Sequence, residues 1–485
     1  MHSAPRPLRA ALTAAMTLAL AACSSLVPDY QRPAAPVPPS YPADVTPASV
    51  AGAEAAADID WQRFFADPRL KRLIALALEN NRDLRIAVLN IEQARAIYQI
   101  RRADELPSVG VGVAASRAAV GNGVATVYSV GFAVAGYELD LFGRVHNLSE
   151  AALSQYFATA ETRKAVQISL VSSVANAYLA VLADDEQLRV TRETLTTREE
   201  SARITKLRFD NGATSELDYR QAESQLEGAK AALAQSLRQR SLDANALQLL
   251  VGQPIPADLP PALPLGVEQI PLDVPPGLPS DLLERRPDIR AAERQLLAAN
   301  ANIGAARAAF FPRITLTANL GTASGDLSGL FKSGSFAFTG TAQLLQPLFD
   351  AGRNQANLDV ARANFNIAVA QYERSIQSSF REVADALAGR ATLGEQVRAQ
   401  AAQTNALAIT YRLADLRYRA GAASYLDALD AQRSLFVSQL SLVQTQAAQV
   451  QNMVQLYRAL GGGWHESAEV SAASNPALPP ISSPR

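Results

Sequence analysis

The 485-residue chain has few of the side chains that catalysis and metal binding use. It contains one cysteine and three histidines, and His2 belongs to the N-terminal leader. Two histidines without an available thiol cannot build a usual zinc site. The sequence also has no Gly-rich phosphate loop, no nucleophile elbow and no HExxH motif, so it offers no nucleophile–base pair or metal constellation. We therefore predict no cofactor, no metal and no catalytic residues.

An excess of one charge is missing as well. Lysine and arginine together number 45, against 46 aspartates and glutamates, which gives a formal net charge of −1. Nucleic-acid binding depends on a basic surface, so no nucleic-acid partner is expected. Methionine is rare, with three residues. Together with the two remaining histidines, this gives no support for a copper pathway.

Beyond the N-terminus the sequence lacks any apolar run of about 18 residues, so no membrane-spanning helix is expected. Two arginines, an apolar run over residues 10–19 and then Leu20-Ala21-Ala22-Cys23 indicate a signal peptide over residues 1–22. The cysteine resembles that of the bacterial lipoprotein signal, where it becomes an acylated N-terminus; the alternative is an ordinary secretory signal beside an unrelated cysteine. Because the only cysteine stands where lipidation requires it, we predict a lipid on Cys23. The following Ser24 favours the outer membrane.

The main positive feature of the sequence is an internal repeat. Residues 208–226 match residues 417–435 without a gap, at an offset of 209. Gly143-Arg144 and Gly352-Arg353 share this offset, and so do Gly252 and Gly461. A self-match over such a length indicates two structural copies in one chain.

In each copy a long helical pattern ends at a glycine, and a second pattern begins after a serine. Gly212 and Gly421 permit the positive φ that ends a helix, and Ser215 and Ser424 can cap the helix that follows. Each copy therefore predicts a helical hairpin with a tight tip, at 210–215 and at 419–424. The long arm over 144–209 has no proline or glycine and would be about 100 Å long.

Short strands are predicted ahead of each helical hairpin. Apolar residues alternate with small or polar ones over 109–114, 128–138, 314–320 and 336–339, within β-hairpins 107–138 and 312–346. Strands with one apolar and one polar face suit a membrane barrel; a soluble hairpin packed on the helices is the alternative. Secretion, lipidation and the lack of another apolar span favour the barrel.

Four strands are too few to close a barrel, because the smallest useful closure takes about eight. Open strand edges are not tolerated in lipid. If these strands span the membrane, several protomers must therefore share one barrel. The predicted fold class is mainly α with a membrane β part and an internal two-fold repeat.

Composition sets the remaining boundaries. Residues 23–60, rich in proline and alanine, predict a lipidated, extended tether without specific contacts. The first repeat covers 61–252, with a helix from Pro68, capped by Asp67, to about residue 103, and the second covers 280–462, with a matching helix over 280–309. A proline-rich crossover, 253–279, joins the repeats, and 463–485 predict a disordered tail. A four-residue insertion falls within the second β-hairpin, where loops tolerate length changes.

The lipid signal, two strand pairs, two helical hairpins and the 209-residue duplication together resemble the TolC-like outer-membrane factors. The closest branch is the lipidated OprM- or NodT-type one, and the resemblance covers nearly all of the mature chain. Its most specific pieces are YRAG at 418–421, YLDALDAQRSL at 425–435, LDYRQA at 217–222 and LQPLFDAGR at 345–353.

The resemblance implies a homotrimer. Three sets of four strands would form a twelve-stranded barrel in the outer membrane, continuous with a long periplasmic α-helical barrel. Such proteins are passive exit ducts of tripartite efflux pumps for drugs or other small amphiphiles. The implied partners are outer-membrane lipid, a periplasmic membrane-fusion adaptor that docks on the hairpin tips, and, through the adaptor, an inner-membrane pump of the resistance-nodulation-division (RND) class. The tip residues expected to serve docking are Gly212, Ser215, Leu217, Gly421, Ser424 and Leu426.

The resemblance also assigns a periplasmic gate. Asp427 and Asp430 match two aspartates that line the tunnel entrance, where three copies would form acidic rings that favour cations. Tyr418 matches a tyrosine that holds the closed tip by bonding an aspartate, which is Asp218 here. Ala423 departs from the family pattern, because relatives often carry a charged residue there. For Asp218 and Asp427, helix N-terminal charge is the simpler alternative role.

Two other functions stay open at this point. A duct of this kind can also serve a type I protein secretion system or a metal efflux pump. A different class is a structural lipoprotein that tethers the layers of the envelope through its helices. A tether needs no barrel, so conductance in a planar bilayer separates it from a duct.

Overall fold

A computed structural model describes residues 26–42, 55–121, 123–270, 274–275, 277 and 279–464. Cys23, its signal peptide and all but the first two residues of the predicted tail lie outside them. The chain divides into two compact units. The sheet unit comprises Met1–Ala35, Leu89–Glu161 and Arg290–Ser375, and the helical unit comprises Pro36–Val88, Thr162–Ile289 and Ile376–Arg485.

Two helical hairpins and one four-stranded sheet make up most of the described chain. The α-helices are α1 (Trp61–Phe64), α2 (Pro68–Asn80), α3 (Arg82–Ala103), α4 (Arg144–Asp210), α5 (Glu216–Val251), α6 (Asp281–Arg285), α7 (Pro287–Ala308), α8 (Arg353–Arg419) and α9 (Tyr425–Ala459). The strands are β1 (Val109–Val120), β2 (Gly123–Leu139), β3 (Arg313–Ser324) and β4 (Phe336–Leu345). Both α4 and α8 have 67 residues, and their ends lie 209 positions apart. The sequence repeat is therefore a structural repeat.

The sheet has the order β1-β2-β3-β4, and every pair of neighbouring strands is antiparallel. Gly121, at a φ of 59°, turns β1 directly into β2. The second hairpin instead has a loop over residues 325–335, so the extra length falls where it was expected. Both β1 and β4 are edge strands within the described sheet. The β2–β3 pair is the place where the two copies of the repeat meet.

The backbones of β2 and β3 approach each other closely at a pair of facing glycines. Gly131 lies opposite Gly321 in the register. A Cβ on Gly131 would come within 2.6 Å of Gly321 Cα and would also contact the Leu320 carbonyl oxygen. Glycine is therefore required on both strands at this point.

The helix predicted from Pro68 to about residue 103 is broken, and so is its counterpart in the second repeat. Asn81 has extended backbone between α2 and α3, and Arg286 has extended backbone between α6 and α7. Each side chain reaches the end of a returning helix: Asn81 Nδ2 donates to the Leu250 carbonyl at 2.9 Å, and Arg286 Nη1 donates to the Ala459 carbonyl at 2.9 Å. The two acceptor residues are 209 positions apart, so both the helix break and the hydrogen bond that holds it occur once in each copy of the repeat.

In the helical unit, one buried carboxylate joins three segments of the chain. Asp67 caps α2 as predicted, accepting from the Arg69 backbone N–H at 2.7 Å. Its side chain also accepts from Tyr178 Oη at 2.7 Å and from the Leu263 backbone N–H at 3.1 Å. Asp67 is fully buried. A buried carboxylate is tolerated here because both of its oxygens accept hydrogen bonds.

The predicted contact-free tether is wrong for its first described part. In the sheet unit, Arg32 forms a bidentate ion pair with Glu293: Nε donates to Oε1 at 2.6 Å and Nη2 donates to Oε2 at 2.9 Å. Asn300 Nδ2 donates to the Pro28 carbonyl, and Arg307 Nη1 donates to the Leu26 carbonyl. The segment lacks periodicity because its backbone is bound by side chains of α7 and not by a ladder of its own.

One described helix, α4, contains an 18-residue window with a mean hydropathy of 1.6. By length and composition alone it is apolar enough to cross a membrane, so the expectation that no helix of this kind follows the leader is wrong. Half of that window is buried inside the protein. The core helix of a soluble protein passes the same test, so a single window of this kind does not indicate a membrane span.

Candidate functional site

The two hairpin tips have the same backbone. Gly212 and Gly421 have φ values of 67° and 73°. In the first tip the Ala213 N–H donates to the Arg208 carbonyl at 2.7 Å, and in the second the Ala422 N–H donates to the Arg417 carbonyl at 2.8 Å. Glycine is favoured at both positions because the left-handed conformation costs other residues energy. The predicted turns are confirmed.

The predicted serine caps are also present, but the two copies complete them differently. Ser215 Oγ accepts from the Asp218 N–H at 3.1 Å, and Ser424 Oγ accepts from the Asp427 N–H at 3.3 Å. In the second copy the Asp427 carboxylate accepts from the Ser424 N–H at 3.0 Å, which completes a reciprocal capping box. In the first copy Thr214 Oγ1 donates to the Asp218 carboxylate at 2.7 Å instead.

This difference follows from one side chain. The position that Thr214 occupies in the first copy is Ala423 in the second. Without a hydroxyl there, the Asp427 carboxylate remains free to bond the Ser424 hydroxyl and N–H. These two hydrogen bonds hold the pKa of Asp427 below its usual range, and the bond from the Ser424 hydroxyl contributes more than the bond from the Ser424 N–H. Asp427 and Asp430 are both exposed and lie three residues apart on one face of α9.

The hydrogen bond expected between Tyr418 and Asp218 is absent within the described chain. Tyr418 Oη is buried without a hydrogen-bond partner among the described residues. Its ring packs against the Tyr425 ring at 5.3 Å between centroids, with the Arg208 guanidinium 5.2 Å from its centroid. The Asp218 carboxylate accepts from Thr214 instead. That expected bond is therefore wrong for the single chain.

Tyr425, whose role was not predicted from the sequence, makes a hydrogen-bonded contact between the two hairpins. Its hydroxyl is 3.1 Å from Ser201 Oγ of α4, and its ring belongs to an apolar cluster with Ala202, Ala222 and Leu429. Burial is the largest cause of its raised pKa. One feature of the sequence could have indicated this role: Tyr425 in the second copy stands where the first copy has Glu216.

A groove of about 470 Å³ lies beside this cluster, between the ends of α4 and α8 and the start of α9. Its polar lining includes Glu200, Arg208, Asp415 and Arg419. At the tips themselves, Leu217 and Leu426 are 67% and 55% exposed, and the two tip glycines are exposed as well. Within the described ranges no group of three or more His, Cys, Asp or Glu side chains is placed to hold a metal ion.

Comparison with known proteins agrees with this architecture. The model of the Outer membrane efflux protein family matches residues 73–253 and 278–462, one match for each repeat. The chain is 47% identical over 464 residues to the toluene efflux pump outer membrane protein TtgI of Pseudomonas putida, covering 93% of this chain and 97% of the relative. It is 44% identical over 460 residues to the outer membrane protein OprJ of Pseudomonas aeruginosa, covering 93% and 95%.

Solved structures give the same result. The open state of the outer membrane channel MtrE of Neisseria gonorrhoeae superposes with a TM-score of 0.83 at 42% identity, covering 91% of this chain and 99% of that one. A membrane protein from Pseudomonas aeruginosa gives a TM-score of 0.84 at 44% identity, covering 90% and 100%. The chain therefore belongs to the outer membrane efflux protein family and is a TolC-like outer-membrane efflux channel that extends into the periplasm.

Proposed function

We propose that three copies of this chain form the passive exit duct of a tripartite efflux pump. The observation that carries the proposal is the open four-stranded sheet, whose edge strands β1 and β4 each lack a second partner among the described residues. Lipid offers no hydrogen bonds to such edges. Three copies supply twelve strands, which is enough to close a barrel around an aqueous path. The duct itself does no chemistry.

Small apolar or amphiphilic compounds are the proposed substrates. Similar proteins are named as components of pumps for toluene, solvents and antibiotics. In this proposal an inner-membrane pump of the RND class selects the substrate, and the duct only conducts it outward. Native mass spectrometry in detergent tests the assembly: three chains per particle are expected. A stable monomer that keeps its strand signal would contradict a shared barrel.

The tips are the proposed docking surface for a periplasmic membrane-fusion adaptor. Exposed Leu217 and Leu426 stand beside Gly212, Gly421 and the two capping serines, so each tip offers an apolar side chain on a fixed turn. An apolar side chain at the centre of an interface contributes most when it is fully desolvated.

Charged substitutions at the two tips test this docking surface. Leu217→Asp with Leu426→Asp is expected to abolish drug resistance in a strain that depends on this channel, while leaving the trimer intact. Leu327→Asp is the matched control, since Leu327 is 68% exposed in the loop between β3 and β4. Full resistance in the tip variant would contradict docking at these leucines.

A lipid on Cys23 is the proposed second attachment to the outer membrane. The motif Leu20-Ala21-Ala22-Cys23 carries this part of the proposal. Mass spectrometry of the mature protein is expected to find an acylated N-terminal Cys23, and an unmodified thiol there would contradict it. Cys23→Ala should retain efflux, because the barrel also holds the protein in the membrane.

A further inference from the structure

Two apolar side chains lie uncovered at opposite edges of the sheet. Leu106, just before β1, is 70% exposed, and Phe349, just after β4, is 89% exposed with its neighbour Leu348 at 93%. The antiparallel registers place the start of β1 and the end of β4 at the same end of the sheet. Exposed apolar side chains beside an open sheet edge are candidates for a contact surface.

A contact between two aromatic side chains at the corresponding place within the chain shows how these exposed side chains could be covered. Phe142, which follows the first β-hairpin, stacks on Phe311, which precedes the second, with ring centroids 4.7 Å apart and planes 19° apart. This stack lies at the base of the β2–β3 pair, where the last strand of one repeat meets the first strand of the next.

The sequence repeat gives each member of that stack a counterpart. Leu106-Pro107 matches Phe311-Pro312 at the offset of 205 that holds before the strands. In the connection between the second hairpin strand and the long helix, Leu348-Phe349 matches Leu141-Phe142 at an offset of 207, because the second copy has two extra residues, Asp350 and Ala351, before the shared Gly-Arg pair. Strand direction alternates across the sheet, so in the proposed shared barrel β4 of one copy would lie antiparallel to β1 of the next, as β2 does to β3.

We infer that Phe349 of each protomer packs against Leu106 of the next protomer, repeating between chains the stack that Phe142 and Phe311 form within one chain. This inference rests on the trimer proposed above. The junction within the chain also contains charged side chains, which the proposed junction between chains lacks. Inside the chain, Glu138 forms ion pairs with Arg144 and Arg313, each at 2.6 Å.

The junction between chains cannot repeat that ionic cluster. At the offset of 205, the counterpart of Arg313 is Ser108, and the end of β4 carries Leu344 and Leu345, which are 63% and 59% exposed. The free edges therefore offer apolar side chains where the internal junction has charges. The partner that fits them is a second copy of this chain.

Cysteine cross-linking of the purified trimer tests the inference. With a short bifunctional thiol reagent, Leu106→Cys with Phe349→Cys is expected to give covalent dimers and trimers on a denaturing gel. Each single variant should give no covalent dimer or trimer. Because the single variants also contain Cys23, they show whether that cysteine contributes to cross-linking. Phe142→Cys with Phe311→Cys is the matched control: that pair is expected to link within one chain and to leave the mass of a monomer.

A second measurement keeps the inference testable if cysteine variants assemble poorly. Phe349→Ala should lower the temperature at which the trimer dissociates. Phe331, in the β3–β4 loop, has a similar exposure of 81%, and Phe331→Ala should leave that temperature unchanged. A verified trimer with no interchain link and an unchanged dissociation temperature in Phe349→Ala would overturn the inference and leave the proposed duct intact. Absence of a trimer in the unmodified protein would instead overturn the proposed function.

Discussion

At the scale of single residues, the tips show how one hydroxyl decides which bonds form. Thr214 engages the Asp218 carboxylate in the first copy, whereas Ala423 leaves the Asp427 carboxylate to its own cap in the second. The helix-end role considered for Asp427 is thus confirmed by its hydrogen bonds. Its exposure leaves an acidic ring at the entrance as a compatible proposal, because a capped carboxylate keeps its charge.

Two tyrosines give a direct test of which contact holds the hairpins together. Tyr425→Phe removes the bond to Ser201 and is expected to destabilise the tip by about 1 kcal/mol. Tyr418→Phe removes a hydroxyl that has no partner within the described chain, so it should cost little. Hydrogen exchange of the backbone amides in α9 measures both. An equal loss of protection in Tyr418→Phe would show that the trimer supplies a partner for this hydroxyl.

A buried aspartate gives the helical unit a pH dependence. Burial and the neighbouring Asp243 raise the pKa of Asp184 to about 7, from an ordinary value of about 4. The folded state therefore holds a proton that the unfolded state releases. This contribution to stability is fully present below about pH 4 and is lost as the pH rises through about 7.

The matching prediction concerns the unfolding temperature of Asp184→Asn. Because the amide has no charge to bury, the variant should lose less stability than the unmodified protein between pH 5 and pH 8. Asp185→Asn is the control, since Asp185 is exposed and pairs with Arg240, and it should keep most of the original pH dependence. An unchanged slope in Asp184→Asn would contradict the role of this carboxyl.

At the scale of elements, the two glycines that end the returning helices have a packing role. Gly252, at a φ of 78°, caps α5, and a Cβ there would lie 2.5 Å from the Asn80 carbonyl oxygen at the helix break. Gly461, at a φ of 85°, lies in the same way against the Arg285 carbonyl, 3.1 Å from such a Cβ. Both glycines therefore let a returning helix meet the break in the helix before the sheet.

Alanine substitutions separate this role from helix propensity. Gly252→Ala is expected to destabilise the protein by about 1–3 kcal/mol, because it combines a left-handed backbone with a close contact. Gly228→Ala, in the middle of α5 with open space around it, should instead stabilise by up to about 1 kcal/mol. Thermal unfolding measures both. Similar effects from the two variants would contradict the packing role of Gly252.

Elements of this fold differ in how well the sequence predicts them. The tips, the caps and the long arms could be predicted because glycine, serine and the repeat offset are local signals. The breaks at Asn81 and Arg286 were missed, because the apolar stripe continues across them and their anchors lie in distant returning helices. Each break nevertheless has a local sign: Pro287 restricts the residue before it, and Asn81 is a favoured N-cap residue whose Oδ1 accepts from the Leu84 N–H at 3.0 Å.

The site was predicted less completely than the fold. Asp427 and Ser424 form a local capping box, which spacing alone could indicate. The Tyr425–Ser201 contact joins residues 224 positions apart, and the N-terminal segment is bound by side chains of α7 more than 260 positions away. Such contacts depend on how the two repeats pack. Tyr418 was assigned a partner by resemblance, and the chain places its hydroxyl elsewhere.

At the scale of the whole molecule, the open sheet edges and the exposed apolar side chains beside them fit the protomer of the proposed trimer. In that proposal one kind of chain is sufficient, because the junction between chains uses residues similar in sequence to those at the junction within a chain. Stability and function should then be inseparable from assembly. The described N-terminal segment adds a fixed path along α7 for the part of the chain that follows Cys23.

Single-channel recording in a planar lipid bilayer shows whether this chain forms an open path across the membrane. Protein verified as a trimer by native mass spectrometry should insert and conduct as a water-filled, cation-preferring pore. Asp427→Asn with Asp430→Asn should reduce the cation preference, because the variant removes six carboxylates from the proposed entrance. Verified trimers that insert into the bilayer and carry no current would contradict the account of this chain as an exit duct.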